Sequence, residues 1–200
     1  MMHAPLFVAF PCAAAVLKSA PFFSMIGLAA ACAVPAVAAE PWPAMPPGSV
    51  VLIRHALAPG VGDPPGFRPG DCRTQRNLSD EGRADARRIG EQFRARGIAV
   101  GAVWASQWCR TQETAELAFP GRVQERPAFN SHFGRADEAS GQTAQARREI
   151  GAWRGEGVLV VVTHQVNITA LTGLSAASGD AVLLPGPKPL EGPPVPFTPR

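Results

Sequence analysis

The chain has 200 residues, which is enough for one domain with a short extension. Its formal net charge of +3 at pH 7 is too small to indicate a protein that binds nucleic acid or a membrane surface. Almost all of its positive charge is arginine, which suits phosphate and carboxylate, although a genome that favours arginine codons would produce the same excess.

The N-terminal segment is typical of a secretory signal peptide. An apolar run without charges follows Lys18 and ends in small residues, which predicts cleavage near Ala38 or Ala39 and a signal peptide over 1–39. A membrane anchor is the alternative, but the run is short, rich in alanine and interrupted by Pro35. We therefore expect a periplasmic or secreted protein with no stable membrane span after cleavage.

Cleavage at this point would leave two cysteines, Cys72 and Cys109, in an oxidising compartment. We therefore expect a disulfide between them. The alternative is a pair of independent buried thiols.

The mature chain begins with a Pro-rich lead over 40–48. A strand is predicted over 49–54, where four apolar residues without polar alternation are typical of a sheet covered on both faces. A Gly-, Pro- and Arg-rich loop follows over 57–77, and loops of this length in a small domain are usually functional or disordered.

Helices and strands alternate along the rest of the chain. Ser79 is a suitable N-cap for the best-defined helix, and Gly97 a suitable end. The predicted elements are a helix at 80–96, a strand at 98–105, a helix at 110–118, a short strand at 123–126, a helix at 141–154, a strand at 157–163, a helix beginning at NITALTG, and a strand at 181–184. This order predicts an α/β domain over 49–185, with three α/β/α layers and a mostly parallel central sheet. The Pro-rich tail at 186–200 is predicted to be unpacked and disordered.

Polar side chains follow three of the predicted strands, and parallel strands would bring them to one edge of the sheet. They are Arg54 and His55, then Ser106 and Arg110, then Thr163 and His164. Two arginines and two histidines would form a cationic pocket suited to a phosphoryl group. The helix after Ser106 would add backbone N–H groups. One histidine could attack phosphorus, and the other could donate hydrogen bonds to the phosphoryl oxygens.

The ordered motifs resemble those of the histidine phosphatase superfamily, which has the phosphoglycerate mutase-like fold. The motifs are strand-Arg-His, S-x-x-x-R-x-x-E-T-A from Ser106, strand-Thr-His, and the helix opening NLSDEG at 77–82. The resemblance covers about 50–184 and implies a small secreted phosphatase-type member. It implies that His55 becomes phosphohistidine, that Arg54 and Arg110 clamp the phosphoryl oxygens, and that His164 completes the pocket without a cofactor or metal.

Ser106 and Thr163 are further candidates for substrate binding, although a serine after a strand is more often a helix cap. Three arginines of the long loop could contact a second anionic group of the substrate or could simply be solvated: Arg68, Arg73 and Arg76.

The chain departs from the family pattern in three places. Ala56 replaces the glycine that often follows the nucleophile. No carboxylate matches the family's general acid well, so Asp137, Glu138 and His132 are weak candidates beside solvated loop charges. The short middle region predicts an open site, suited to a bulky or protein substrate or to weak selectivity.

The sequence therefore predicts a metal-independent phosphatase that hydrolyses phosphate monoesters or phosphoramidates through a phosphohistidine. The alternative is a non-catalytic protein that binds a phospho-ligand or phosphoprotein. A metal site is disfavoured because the arginines would repel a cation, and a mutase is disfavoured by the short middle region. The expected partner is a phosphorylated small molecule or phosphoprotein, not a nucleic acid. We expect activity to fall at low pH as His55 becomes protonated.

Overall fold

The computed structural model describes residues 41–200, so the predicted signal peptide at 1–39 lies outside the described residues. The described part contains a six-stranded sheet, whose strands are β1 (Val50–Arg54), β2 (Val100–Ala105), β3 (Val123–Glu125), β4 (Val158–Thr163), β5 (Ala181–Leu184) and β6 (Val195–Phe197). The strand order is β3-β2-β4-β1-β5-β6. The first four strands are parallel, and β5 and β6 run antiparallel to their neighbours.

Four helices cover the two faces of this sheet: α1 (Asp80–Ala95), α2 (Cys109–Ala118), α3 (Ala136–Ala152) and α4 (Gln165–Thr172). Ile89 and Phe93 of α1 join a core on one face, together with Val51 of β1. Ile150 of α3 and Ile168 of α4 join the core on the opposite face. The predicted three-layer α/β/α architecture is therefore confirmed. Among residues 41–200, no helix is both long and apolar enough to cross a membrane.

The centre of the sheet explains the uninterrupted apolar runs in the sequence. All residues of β4 are buried, and only Arg54 of β1 is partly exposed. Successive side chains of a strand point to opposite faces, so a strand covered on both faces needs apolar residues at every position.

The register of the parallel strands places their carboxyl ends side by side. Arg54 is paired with Thr163, and the backbone N–H of His55 donates to the Thr163 carbonyl at 2.9 Å. The backbone N–H of Ser106, just after β2, donates to the Val162 carbonyl at 3.1 Å. The residues that follow β1, β2 and β4 therefore meet at one edge.

The Pro-rich ends of the chain differ from their predictions. The prediction of an unpacked tail at 186–200 is wrong, because β6 lies within it and pairs with β5. Pro196 can occupy β6 because an edge strand has a free side that needs no backbone N–H. In the lead, Trp42 contacts Phe93 and Phe197 with ring centroids 5.0 and 5.1 Å apart. The high proline content of both segments predicts disorder and does not reveal the few apolar residues that anchor them to the domain.

The third helix also differs from its prediction. It begins at Ala136 rather than near 141. Its first turn contains Asp137 and Glu138, which are favourable at a helix N-terminus. The turn lacks the spaced apolar residues from which a helix is predicted, so the predicted start lies too late in the chain.

Candidate active site

The edge of the sheet holds a cavity of about 200 Å³ that brings together the four residues predicted to be catalytic. Arg54, His55, Arg110 and His164 all line it. The two imidazole rings have centroids 5.5 Å apart. Residues from three separate segments thus surround one space, although their catalytic roles stay predictions.

His55 is held with one ring nitrogen free of a proton. Its Nδ1 lies 2.8 Å from the Ala56 carbonyl, which can only accept, so Nδ1 carries the hydrogen. Nε2 therefore has a lone pair in the neutral ring, and Arg110 Nε donates to it at 3.3 Å. Burial, helped by the charges of the nearby arginines and opposed by the hydrogen bond to Ala56, lowers the pKa of His55 to about 3. The ring is therefore neutral at physiological pH, and its protonation is displaced to more acidic conditions than expected from sequence.

The turn that follows β2 holds the ring of His164 in place. Its Nε2 lies 2.9 Å from Ser106 Oγ, which also contacts Asn130 Oδ1 at 3.3 Å. Burial lowers the pKa of His164 well below its ordinary value, and His55 and the arginines lower it further. The second histidine is therefore also a neutral ring at physiological pH.

Arg54 is tethered at one end of its guanidinium. Its Nη1 donates to the Ala176 carbonyl at 3.0 Å and lies 3.4 Å from Gln165 Oε1. Its Nε is buried without a partner among residues 41–200. A buried donor without a partner costs free energy.

Arg110 has a carboxylate partner that sequence reasoning missed. Asp63, in the loop after β1, accepts from Arg110 Nη1 at 2.6 Å and from Trp108 Nε1 at 2.7 Å. Burial raises the pKa of Asp63, but the hydrogen bonds from Arg110 and Trp108, together with the charges of Arg110 and Arg76, outweigh it, so the net pKa is lowered. Asp63 lines the cavity as an ionised group. No sequence signal separates it from Asp71, the other carboxylate of this loop.

Of the three loop arginines considered from sequence, only Arg76 lines the cavity. Its Nε donates to the Gly62 carbonyl at 2.9 Å, and its Nη1 donates to the Ala58 carbonyl. Arg68 and Arg73 instead form exposed ion pairs with Asp71. Arg76 therefore adds positive charge beside Arg54 and Arg110.

The loop after His55 is fastened to the helices beneath it. The predicted disulfide is present and joins Cys72 to Cys109, with a Cα–Cα distance of 5.6 Å. The backbone N–H of Ala56 donates to Thr114 Oγ1 at 3.0 Å. Gly82 explains the glycine of the helix-opening motif, since a Cβ there would strike the Leu57 carbonyl.

Several candidates for direct substrate contact lie elsewhere. Ser106 and Thr163 are fully buried and do not line the cavity. Ser106 instead supports His164, and Thr163 Oγ1 donates to the Phe129 carbonyl at 2.8 Å. The hydroxyl of a residue at the end of a strand can thus point into the protein instead of the cavity, and the position of the residue in the sequence does not show which.

The start of α2 also differs from expectation. Two backbone N–H groups there are already used: that of Cys109 donates to Gln75 Oε1 at 2.9 Å, and that of the N-cap residue Trp108 donates to Ser106 Oγ at 3.2 Å. At the cavity it is instead Gln165 and Val166, at the start of α4, that form part of the wall.

The three candidate general acids do not line the cavity either. Asp137 and Glu138 lie in the first turn of α3, and Glu138 pairs with Arg135 at 2.9 Å. His132 has a buried Nε2 without a partner in the described part of the chain. Within residues 41–200, no group of three or more His, Cys, Asp or Glu residues is placed to hold a metal ion.

Three solved structures with the same fold have names that refer to phosphate chemistry. A candidate alpha-ribazole-5'-P phosphatase from Escherichia coli has 17% identity and a TM-score of 0.53, covering 78% of this chain and 96% of its own. Phosphoglycerate mutase from Thermus thermophilus has 19% identity and a TM-score of 0.51, covering 75% and 98%. The candidate phosphohistidine phosphatase SixA from Agrobacterium tumefaciens has 17% identity and a TM-score of 0.51, covering 74% and 94%. At these identities the similarity establishes the fold alone.

No curated protein matches the chain. The family model described as histidine phosphatase superfamily (branch 1) matches residues 50–157, which is more than half of the sequence. The chain therefore belongs to the histidine phosphatase superfamily.

Proposed function

We propose that this protein is a phosphatase that transfers the phosphoryl group of its substrate to His55 and then to water. The observation that carries the proposal is the unprotonated Nε2 of His55, held beside Arg110 in a cavity that Arg54 and His164 also line. An unprotonated imidazole nitrogen that lines an anion-binding cavity suits attack on phosphorus once the phosphoryl group takes over the hydrogen bond from Arg110.

In the first step, His55 Nε2 forms a bond to phosphorus while the bond between phosphorus and the leaving group breaks. Arg54 and Arg110 offset the charge on the phosphoryl oxygens, and His164 hydrogen-bonds to one of them. In the second step, water attacks phosphorus, the N–P bond breaks, and the proton of water passes to solvent. Inorganic phosphate leaves, and the lone pair of Nε2 is restored.

The chemistry of the leaving group follows from the cavity's carboxylate. Asp63 is ionised by its contacts with Arg110 and Trp108, so it is a poor proton donor. This favours substrates whose leaving group needs little protonation by the enzyme, such as aryl esters, or phosphoramidates that carry their own proton. The Agrobacterium neighbour is named as a candidate phosphohistidine phosphatase, and phosphohistidine is a phosphoramidate.

We further propose that the protein works in the periplasm or outside the cell. The Cys72–Cys109 disulfide suits an oxidising compartment, and the predicted signal peptide would direct the chain there.

The test measures turnover of p-nitrophenyl phosphate and phosphoramidate, with rapid quenching to trap acid-labile phosphate on the protein. We expect His55→Ala to lose turnover and labelling, whereas His132→Ala, a histidine outside the cavity, retains both. Equal turnover by wild type and His55→Ala would overturn the mechanism. Tight phosphate binding by wild type without any turnover would favour the second candidate, a phospho-ligand binding protein, which the lack of a protonated acid in the cavity supports.

A further inference from the structure

We propose that the leaving group of the substrate carries an aromatic ring, and that Val61, Phe133 and the neighbouring aromatic wall form the subsite for it. This inference rests on the proposed function, because it concerns the same cavity. It specifies the part of the substrate that the phosphate-binding residues do not contact.

The first observation is the position of the exposed apolar side chains. In residues 41–200, two large hydrophobic side chains are exposed: Val61 at 86% and Phe133 at 57%. They belong to segments far apart in sequence, yet both line the phosphate cavity. Exposed apolar groups gathered at the rim of a polar pocket are typical of a ligand-binding surface.

The second observation is an adjoining cavity of about 360 Å³. It shares four lining residues with the phosphate cavity, so the two spaces lie side by side: Gly62, Asp63, Ser131 and Phe133. Its wall is formed by Phe67 and Trp108, whose rings stack with centroids 4.8 Å apart and planes at 26°. A leaving group attached to a phosphoryl group in the first cavity would extend along this aromatic wall.

The polar groups of the adjoining cavity are already engaged. Arg135 pairs with Glu138 at 2.9 Å and also donates to the Ser131 carbonyl. Ser131 Oγ accepts from the backbone N–H of Phe133 at 3.3 Å. A hydroxyl-rich or anionic leaving group would therefore find few free partners, whereas a flat ring needs only the aromatic surfaces.

The rim is held in place by polar contacts. Arg76 binds the Gly62 carbonyl at 2.9 Å, and Asp63 joins the loop to Trp108 at 2.7 Å. A Cβ built on Gly62 would lie 3.7 Å from Phe133 Cε1, so this turn of the loop lies beside the Phe133 ring. Val61 is thus exposed on an anchored turn, and the subsite needs little ordering when a ring binds.

The experiment compares phenyl phosphate with 2-naphthyl phosphate, whose leaving groups have similar acidity but differ by one ring. We expect KM for 2-naphthyl phosphate to be about tenfold lower in the wild type, because the second ring is buried against the subsite. Phe133→Ser and Val61→Ser should each reduce this preference severalfold, because each removes apolar surface that the second ring would contact. Val123→Ser, a half-buried valine outside both cavities, is the control.

Thermal unfolding checks that each variant is folded. Equal KM values for the two aryl esters in the wild type would overturn the inference, as would an unchanged preference in both rim variants. Either result, together with normal turnover of phosphoramidate, would leave the proposed phosphatase activity standing. Absence of turnover with all three substrates would instead refute the proposed function.

Discussion

The ion pair between Asp63 and Arg110 leads to a prediction about phosphate affinity. Arg110 is 3% exposed, and Asp63 is 18% exposed. The Asp63 carboxylate accepts from Arg110 Nη1 at 2.6 Å and from Arg110 Nη2 at 3.4 Å, while Arg110 Nε donates to His55. A phosphoryl group that uses those outer nitrogens must compete with the carboxylate. Asp63→Asn keeps the size of the side chain and an oxygen for Trp108, but it removes the competing charge.

The size of the effect follows from the contacts that are lost. A hydrogen bond to a charged group contributes about 1.5–3 kcal/mol. Removing this competition should lower the inhibition constant of inorganic phosphate by roughly 10- to 100-fold. The unpaired charge of buried Arg110 should also lower the thermal midpoint without phosphate. Added phosphate should restore it, and by more than in the wild type, because phosphate then supplies the missing anion.

The assay measures inhibition of p-nitrophenyl phosphate hydrolysis by inorganic phosphate, alongside thermal unfolding at several phosphate concentrations. Asp71→Asn is the matched control, since Asp71 belongs to the same loop and pairs with exposed arginines but does not line the cavity. An unchanged or higher inhibition constant in Asp63→Asn would show that the carboxylate orients Arg110 rather than competing with phosphate, and the reasoning would fail.

Three other predictions concern pH, the disulfide and packing. Because the pKa of folded His55 is about 3 rather than 6.5, protonation of His55 should reduce kcat/KM only near pH 3. The same depressed pKa should lower the free energy of unfolding as pH falls from 6.5 to 3, by about 1.4 kcal/mol per pH unit. Denaturant titration of the wild type and His55→Ala measures this loss. Reducing the Cys72–Cys109 disulfide should cost roughly 2–4 kcal/mol of stability and lower kcat/KM, because the loop beside Arg110 is loosened; unchanged kinetics with verified free thiols would contradict this. Gly82→Ala should lower the thermal midpoint through the backbone clash described above, whereas Gly141→Ala, with open space around its Cβ, should raise it slightly.

The central elements of the fold could be predicted because their patterns reflect burial on both faces of the sheet. The runs at β1 and β4 are apolar at every position before their polar ends, and each is followed by a histidine. Parallel pairing then brings those ends together, so the convergence of the four predicted residues follows from strand order and polarity. The same reasoning did not separate Ser106 and Thr163, whose hydroxyls turn inward, from the residues that face the cavity.

The features that could not be predicted depend on the path of irregular segments. Asp63 reaches Arg110 because the loop folds back over α2, and nothing in its Gly- and Pro-rich sequence specifies that path. Similarly, β6 forms within a stretch whose proline content suggests disorder, because Val195 and Phe197 alternate around Pro196 and the edge of β5 is free to pair.

The two histidines follow neighbouring central strands, whereas the rim proposed to contact the rest of the substrate comes from the segment after β1 and the segment before α3. The proposed reactive groups and the proposed selectivity residues thus lie in separable parts of the chain. A protein engineer could exchange Val61 and Phe133 for polar side chains to redirect this scaffold to other esters, while the backbone pairing at the sheet's edge keeps the imidazoles in register.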